Sequence, residues 1–412
     1  MLLIFYQMSL WKQILLGMVA GAIIGALLKG MDISFIQFSY FKQAGDIFIR
    51  MIKMLIAPII FFSILTGVTN LGLDKSLGRV GIKSLLLYLM STLLAAVVGV
   101  AVAMSFESGN QQGLEVCSKE ELATLPLLDG LLSLIPQPFS DVNPLQIIIL
   151  AASFGVGLGL SNHPKKDLVI SFNEVCAETL YKLVEALMKG APYAVFCIML
   201  FVVGTQGLVV LGGIGKLFLV FTLGCVLHVV IVYFTAIRFY VGISFTSYLK
   251  AMKSAFLVAF TTSSSSATMP TTLRCIKEKL GVSSNTANFI IPIGTTINMD
   301  GMVISHCVCA VFGAQYFGID LTISQLFMVV LTVTLASVGA AGVPGAAVIM
   351  LGMVFDTIGI SSENQITLIG VLIGVDWVIG MVRTVVNVAG DTVVAAVVDK
   401  SEGAFTPHPV HA

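Results

Sequence analysis

Six stretches of this chain are apolar for long enough to cross a lipid bilayer: residues 11–29, 47–72, 80–105, 144–161, 170–204 and 212–240. The hydrocarbon core of a bilayer is matched by about 20 apolar residues of helix. Backbone amides at that depth find no water, so each stretch has to satisfy its own N–H and C=O groups. The expected class is therefore an all-α polytopic membrane protein.

Charge supports that class. Of 412 residues, 57% are hydrophobic and 11% charged, and the mean hydropathy is +1.00. Soluble domains carry about 25% charged residues. Half that density cannot cover a water-facing surface of this size, which excludes a soluble enzyme, a disordered regulator and a nucleic-acid binder. Lys and Arg together number 22, as do Asp and Glu, so net charge says nothing about partners. Cysteines such as Cys197, Cys225, Cys307 and Cys309 lie in apolar runs without a C-x-x-C pair and read as small apolar fillers. The run 14–28 has a small-x-small site at Ala20-Gly21-Ala22, but inside the run rather than after it, so it reads as an uncleaved first span.

Orientation follows the cations. Lys75, Arg79 and Lys83, then Lys165 and Lys166, then Arg238, Lys250 and Lys253 fall after even-numbered spans, and Lys400 lies near the end. Both termini are expected in the cytoplasm. The polar stretch 106–143, with Glu115, Lys119, Glu120, Glu121, Pro136 and Pro138, reads as an exposed loop inside one membrane domain, 1–412.

After residue 250 the texture changes. Thr261-Thr262-Ser263-Ser264-Ser265-Ser266-Ala267-Thr268-Met269-Pro270 is a small, polar break in an apolar region. Ser337-Val338-Gly339-Ala340-Ala341-Gly342-Val343-Pro344-Gly345 is a second. Each follows an apolar arm too short to cross alone, and each precedes a long helix-like segment, 285–317 and 365–398. Paired interruptions mark inverted repeats with a binding site between them. Two re-entrant hairpins are expected, near 250–275 and 322–358, with tips meeting near the midplane.

Four charges lie inside the long segments: Asp300, Asp376, Arg383 and Asp391. One such charge at mid-span costs roughly 2.5–3.5 kcal/mol on insertion scales, and such residues face a pathway. Asp376, Gly380, Arg383, Asn387 and Asp391 form one helical stripe. Gly294-Thr295-Thr296-Ile297-Asn298-Met299-Asp300-Gly301 gathers amide, hydroxyl and carboxylate oxygens within about a turn. Oxygen-rich sets suit hard cations, and too few acids are present for a calcium cage. Na⁺ is the first choice, while embedded Asp residues also relay protons. Arg383 either pairs with Asp376 or Asp391 or holds a substrate carboxylate through two hydrogen bonds.

SSSSATMP at 263–270, NMDG at 298–301, SVGAAGVPGA at 337–346 and RTVVNVAGD at 383–391 resemble the signature segments of the dicarboxylate/amino acid:cation symporter family, the sodium:dicarboxylate or glutamate transporter family. Ile56-Ala57-Pro58 and Tyr88-Leu89-Met90-Ser91-Thr92 extend the match. The resemblance implies eight transmembrane helices plus the two hairpins, a homotrimer, and elevator movement of a transport part (about 80–105 and 212–400) against a scaffold (about 11–72 and 144–204), with 401–412 as a cytoplasmic tail. It implies substrate contacts at Ser264, Ser265, Ser266, Gly342, Val343, Asp376, Arg383, Thr384 and Asn387. It implies one Na⁺ site at Gly294, Asn298, Asn387 and Asp391. A second would use Thr296, Ser337, Val338 and Ala340, and a third Tyr88, Ser91, Thr92, Asn298 and Asp300. No organic cofactor is implied, and the expected location is a bacterial inner membrane.

Two residues depart from the acidic-substrate pattern. Gly380 stands where an Asp would hold an ammonium group, and Met302 where a Thr follows NMDG. The function implied is Na⁺-coupled, or H⁺-coupled, uptake of an acidic amino acid or a C4/C5-dicarboxylate. A neutral amino acid would leave Arg383 unpaired. A channel would need a symmetric pore-lining ring, whereas the polar groups here crowd one half of the chain.

Overall fold

The computed structural model describes residues 8, 10–29, 35–70, 78–106, 144–338 and 346–407. Among them there is no strand. The helices are α1 (Leu10–Lys29), α2 (Phe35–Asn70), α3 (Gly78–Ser105), α4 (Pro144–Leu160), α5 (Lys166–Met188), α6 (Ala191–Gln206), α7 (Val209–His228), α8 (Phe245–Thr262), α9 (Ser265–Cys275), α10 (Ser284–Ile297), α11 (Asp300–Tyr316), α12 (Ile323–Ser337), α13 (Ala346–Thr357) and α14 (Ser362–Ser401). The polar stretch 106–143 lies outside the described residues apart from Phe106.

Five segments among the described residues are long and apolar enough to cross a membrane, or six if α5 and α6 count as one span. Those two were expected as a single stretch, 170–204. They are bent by 53°, with Lys189 and Gly190 between them and a proline in the first turn of α6. Proline supplies no backbone N–H, which suits a helix start and not a helix interior. α7 continues through two π-helical stretches, Val229–Phe234 and Ala236–Val241, and stops at Gly242 with φ 88°. Five of the later helices, α8, α9, α10, α12 and α14, start on a side-chain cap: Ser244, Ser264, Ser283, Thr322 and Ser361 accept a backbone N–H three residues on.

α3 shows why this chain belongs in lipid. Ile82, Leu86, Met90, Leu93 and Val97 point outward along one face, while Ser84, Tyr88, Ser91 and Thr92 are buried. A soluble helix has the opposite pattern. α11 is buried from Asp300 to Ala314, enclosed by α3, α7, α12, α13 and α14. Packing falls into two groups. α1 lies along α6, and α2 along α4, α5 and α6. α3 and the helices from α7 onward pack chiefly on α11 and α14.

The last helix is tied back at its end. Asp399 is fully buried and accepts hydrogen bonds from the Ser283 backbone N–H (2.9 Å) and hydroxyl (2.5 Å), at the start of α10. Glu402, one residue past α14, accepts from Lys83 (2.5 Å) and from Arg79 at the start of α3.

Candidate functional site

The site is organised by a break that the sequence did not announce. The helix-like segment expected at 285–317 is two helices, α10 and α11, separated by non-helical backbone at Asn298 and Met299. Short polar side chains compete with helical hydrogen bonding, and here both flanking polar residues are drawn into other elements. Asn298 reaches α14, and Asp300 reaches α3 and the π-helical end of α7. The break puts non-helical backbone inside a segment long and apolar enough to span a membrane, which is tolerated only where protein or a cavity covers it.

Asp300 is fully buried. Its Oδ2 accepts from Ser91 Oγ (2.5 Å) and Tyr233 Oη (2.6 Å), and its Oδ1 from Thr92 Oγ1 (2.9 Å). His228 Nε2 lies 3.3 Å from Oδ2. Ser91, Thr92 and Asp300 were expected together. His228 and Tyr233 were not, since single uncharged polar residues leave the 212–240 stretch apolar overall.

Asp391 is the second buried acid of the site. Asn298 Nδ2 donates to its Oδ1 at 3.2 Å. The Asn298 Oδ1 atom is buried and has no hydrogen-bond partner. Gly294 is required here, because a Cβ on it would sit 2.5 Å from both Asp391 Oδ1 and Tyr88 Oη. Tyr88 donates to the Ile290 carbonyl at 3.1 Å. Asn387 Oδ1 accepts from Gly301 N (2.8 Å), locking α14 to the first turn of α11. Carboxylate and phenol therefore meet beside Gly294, and the Asn298 amide bonded to that carboxylate leaves its oxygen unsatisfied. Buried polar atoms are nearly always paired, so an unpaired oxygen beside a carboxylate suits a hard cation.

Arg383 and Asp376, two of the three charges of the α14 stripe, are paired: Nη1 to Oδ1 at 2.8 Å, Nη2 to Oδ2 at 3.5 Å. Both readings of Arg383 thus stay in play, since an arginine held by one carboxylate can turn to another. At the first break Ser264 and Ser265 are buried and Ser266 is exposed. The Ser264 hydroxyl caps α9, accepting from Ala267 N at 3.1 Å. The hydroxyls of Thr296, Thr384 and Ser337 bond carbonyls of their own helices, and Val338 is half-buried. Ala340, Gly342 and Val343, with the rest of the second break, lie outside the described residues. His306 was also missed. Its Nδ1 lies 2.9 Å from the Met302 carbonyl and its Nε2 2.8 Å from the Ala347 carbonyl, joining α11 to α13.

A buried, oxygen-rich helix break beside a membrane-embedded arginine is the makeup of an integral membrane transporter rather than of an enzyme. Residues 10–401 match the model of the sodium:dicarboxylate symporter family, and the chain belongs to that family. It is 32% identical to the proton/sodium-glutamate symport protein of Bacillus subtilis (strain 168), over 97% of this chain and 94% of that one. It is 30% identical to the proton/glutamate-aspartate symporter of Escherichia coli (strain K12), with coverage of 97% and 94%. It is also 30% identical to a C4-dicarboxylate transport protein of Xanthomonas campestris, with coverage of 96% and 89%.

Proposed function

We propose that the protein couples inward movement of Na⁺, with H⁺ as the alternative ion, to uptake of an acidic amino acid or a C4/C5-dicarboxylate. The observation that carries this reading is the unpartnered, buried Asn298 Oδ1 beside Asp391. A cation there would satisfy the oxygen and offset the desolvated carboxylate. Gly294, Asn387 and Asp391 would complete one ion site. Asp300 with Tyr88, Ser91 and Thr92 would form another, and Thr296, Ser337, Val338 and Ala340 a third. Arg383 would take a substrate carboxylate, with Asp376, Thr384, Asn387, Ser264, Ser265, Ser266, Gly342 and Val343 around it. The family name and the names of the three relatives support both the cation and the carboxylate.

The division into two packing groups supports a scaffold of α1, α2 and α4–α6 and a moving part of α3 and α7–α14. The α8–α9 and α12–α13 pairs would be the re-entrant hairpins, in a homotrimer set in a bacterial inner membrane with both termini cytoplasmic. The test is uptake of labelled glutamate, aspartate, succinate and 2-oxoglutarate into proteoliposomes under an inward Na⁺ gradient, against choline and against a proton gradient alone. Gradient-driven accumulation of at least one supports the reading. Equilibration with no gradient dependence overturns it.

A further inference from the structure

One oxygen of the buried Asp300 carboxylate is crowded and the other is not. Oδ2 receives Ser91 Oγ at 2.5 Å, Tyr233 Oη at 2.6 Å and His228 Nε2 at 3.3 Å. Oδ1 receives only Thr92 Oγ1 among the described residues, at 2.9 Å. Each carboxylate oxygen offers about two lone pairs. Oδ2 therefore meets more donors than it can accept, and Oδ1 has a lone pair to spare. The Oδ2 side is also closed by α14, where a Cβ on Gly390 would lie 3.2 Å from Oδ2 and 2.6 Å from Tyr233 Oη.

Two of the three donors on Oδ2 come from one turn at the end of α7, and the register of that turn is what brings them together. Residues five apart on an α-helix point about 0.4 of a turn away from each other. Here the chain is π-helical from Val229 to Phe234, and a π register closes its hydrogen bonds between residues five apart. His228 and Tyr233 therefore share a face. Both are buried, and their rings meet edge to face with centroids 4.9 Å apart. Single π turns inside longer helices recur at functional sites. An ionised carboxylate only accepts, so Nε2 of His228 carries the hydrogen, and Nδ1 is left buried without a partner. The imidazole thus makes one polar contact, and that contact is to Asp300.

We propose that His228 is a positioning residue for the Asp300 ion site: with Tyr233 it holds Oδ2 toward α7, so that Oδ1, with Thr92 Oγ1 beside it, is the face presented to Na⁺. This rests on the cation-coupled reading and narrows how one of its ion sites works. Thr92 Oγ1 donates its hydrogen to Oδ1 and keeps its lone pairs. A carboxylate oxygen and a hydroxyl oxygen, both hard ligands, can then face the same cation. Without His228 the carboxylate is less constrained about its own axis, and the spare lone pair on Oδ1 loses its fixed aim. Groups behind a metal ligand act in this way, and losing one typically costs about 10–100-fold in metal affinity.

The test is Na⁺-dependent thermal unfolding of the detergent-purified full chain, with choline replacing Na⁺ at constant ionic strength. The proteins are wild type, His228→Phe, His228→Gln, Asp300→Asn and the double variant His228→Phe/Asp300→Asn. Phenylalanine keeps a ring against Tyr233 and removes both nitrogens, one of them unpartnered, so Tm in choline is expected to be unchanged or raised. The Na⁺ concentration that gives half the rise in Tm is expected to increase about tenfold. Glutamine places an amide N–H where Nε2 stood and is expected to recover most of the response. Adding His228→Phe to Asp300→Asn is expected to change nothing further, because the histidine acts only through that carboxylate. An unshifted Na⁺ response in His228→Phe, failure of glutamine to restore it, or an undiminished effect of His228→Phe in the Asp300→Asn background overturns the inference and leaves the symporter reading standing. A wild-type Tm that does not respond to Na⁺ overturns the Na⁺-coupled reading, and this inference with it.

Discussion

Asn298, in the break between α10 and α11, donates its side-chain N–H to Asp391 of α14 at 3.2 Å, while its own amide oxygen is buried and unpaired. One residue thus bridges a helix break and the last helix and still leaves an acceptor beside a carboxylate. Replacing Asn298 with Leu removes both the hydrogen bond and the acceptor. The concentration of Na⁺ needed for half-maximal uptake is expected to rise by at least an order of magnitude, as an uncompensated buried carboxylate costs on the order of 3 kcal/mol. An Na⁺ titration of uptake reads this directly, and an unshifted curve would remove Asn298 from the ion site.

Tyr233 makes a short hydrogen bond of 2.6 Å to the buried Asp300. Tyr233→Phe keeps the ring and deletes the donor, at a cost of about 1–3 kcal/mol to whichever state needs the charged Asp300. The expected result is a several-fold weaker response to Na⁺ with little change in Tm. A fall in Tm without a change in Na⁺ response would make Tyr233 a packing residue only.

Arg383→Ala removes the charged fork of the substrate site. Deleting one partner of a buried, hydrogen-bonded charge pair costs roughly 2–5 kcal/mol, so transport of dianionic substrates is expected to fall below detection. Arg383→Lys should recover only part of it, because an ammonium lacks the planar two-donor geometry. Near-normal affinity for the same dianion in the alanine variant would leave Arg383 as a structural partner of Asp376.

Glu402 sits at the polar end of α14. The hydrogen bond from Lys83, and then that from Arg79, hold its carboxyl below the ordinary glutamate value. A carboxylate lowered in the folded state stabilises the fold at pH above its ordinary value and loses that contribution as pH falls through the folded one. Glu402→Gln is therefore expected to lower Tm at pH 7 and to approach wild type at an acid pH below that lowered value. A Tm difference that is the same at both pH values would contradict the assignment.

Asp399→Ala tests the tie between α14 and α10. It strands the Ser283 N–H and hydroxyl away from their partner, and a destabilisation of about 1–3 kcal/mol is expected in thermal or denaturant unfolding. An unaltered Tm would mean that water replaces the carboxylate without loss.

Much of this was legible in the sequence because membrane depth makes polarity expensive. Asp300, Arg383 and Asp391 stood out as charges in apolar segments, and the structure brings Asp300 to Ser91 and Thr92, and Asp391 to Asn298. The stripe on α14 held, with Asp376 meeting Arg383 one face along. The break at Asn298 was hidden because its cause is tertiary: the side chains that pull the backbone out of helix belong to α3, α7 and α14. Tyr233 and His228 were hidden because uncharged polar residues lower hydropathy too little to interrupt an apolar stretch. His306 was hidden because its second partner is a backbone carbonyl on α13, distant in sequence. The bend at Lys189 and Gly190 fell inside a stretch whose apolar composition continues on both sides.

The central claim is cation-coupled carboxylate transport through the Asp391 site, and one comparison addresses it most directly. Uptake of labelled succinate is measured in proteoliposomes carrying wild type or Asp391→Asn, at equal pH on both sides, with an inward Na⁺ gradient or with choline. The account predicts accumulation above equilibrium for wild type in Na⁺ alone, and for Asp391→Asn a demand for far more Na⁺ in a protein that unfolds at a similar temperature. Equal accumulation by the two proteins at every Na⁺ concentration would contradict it.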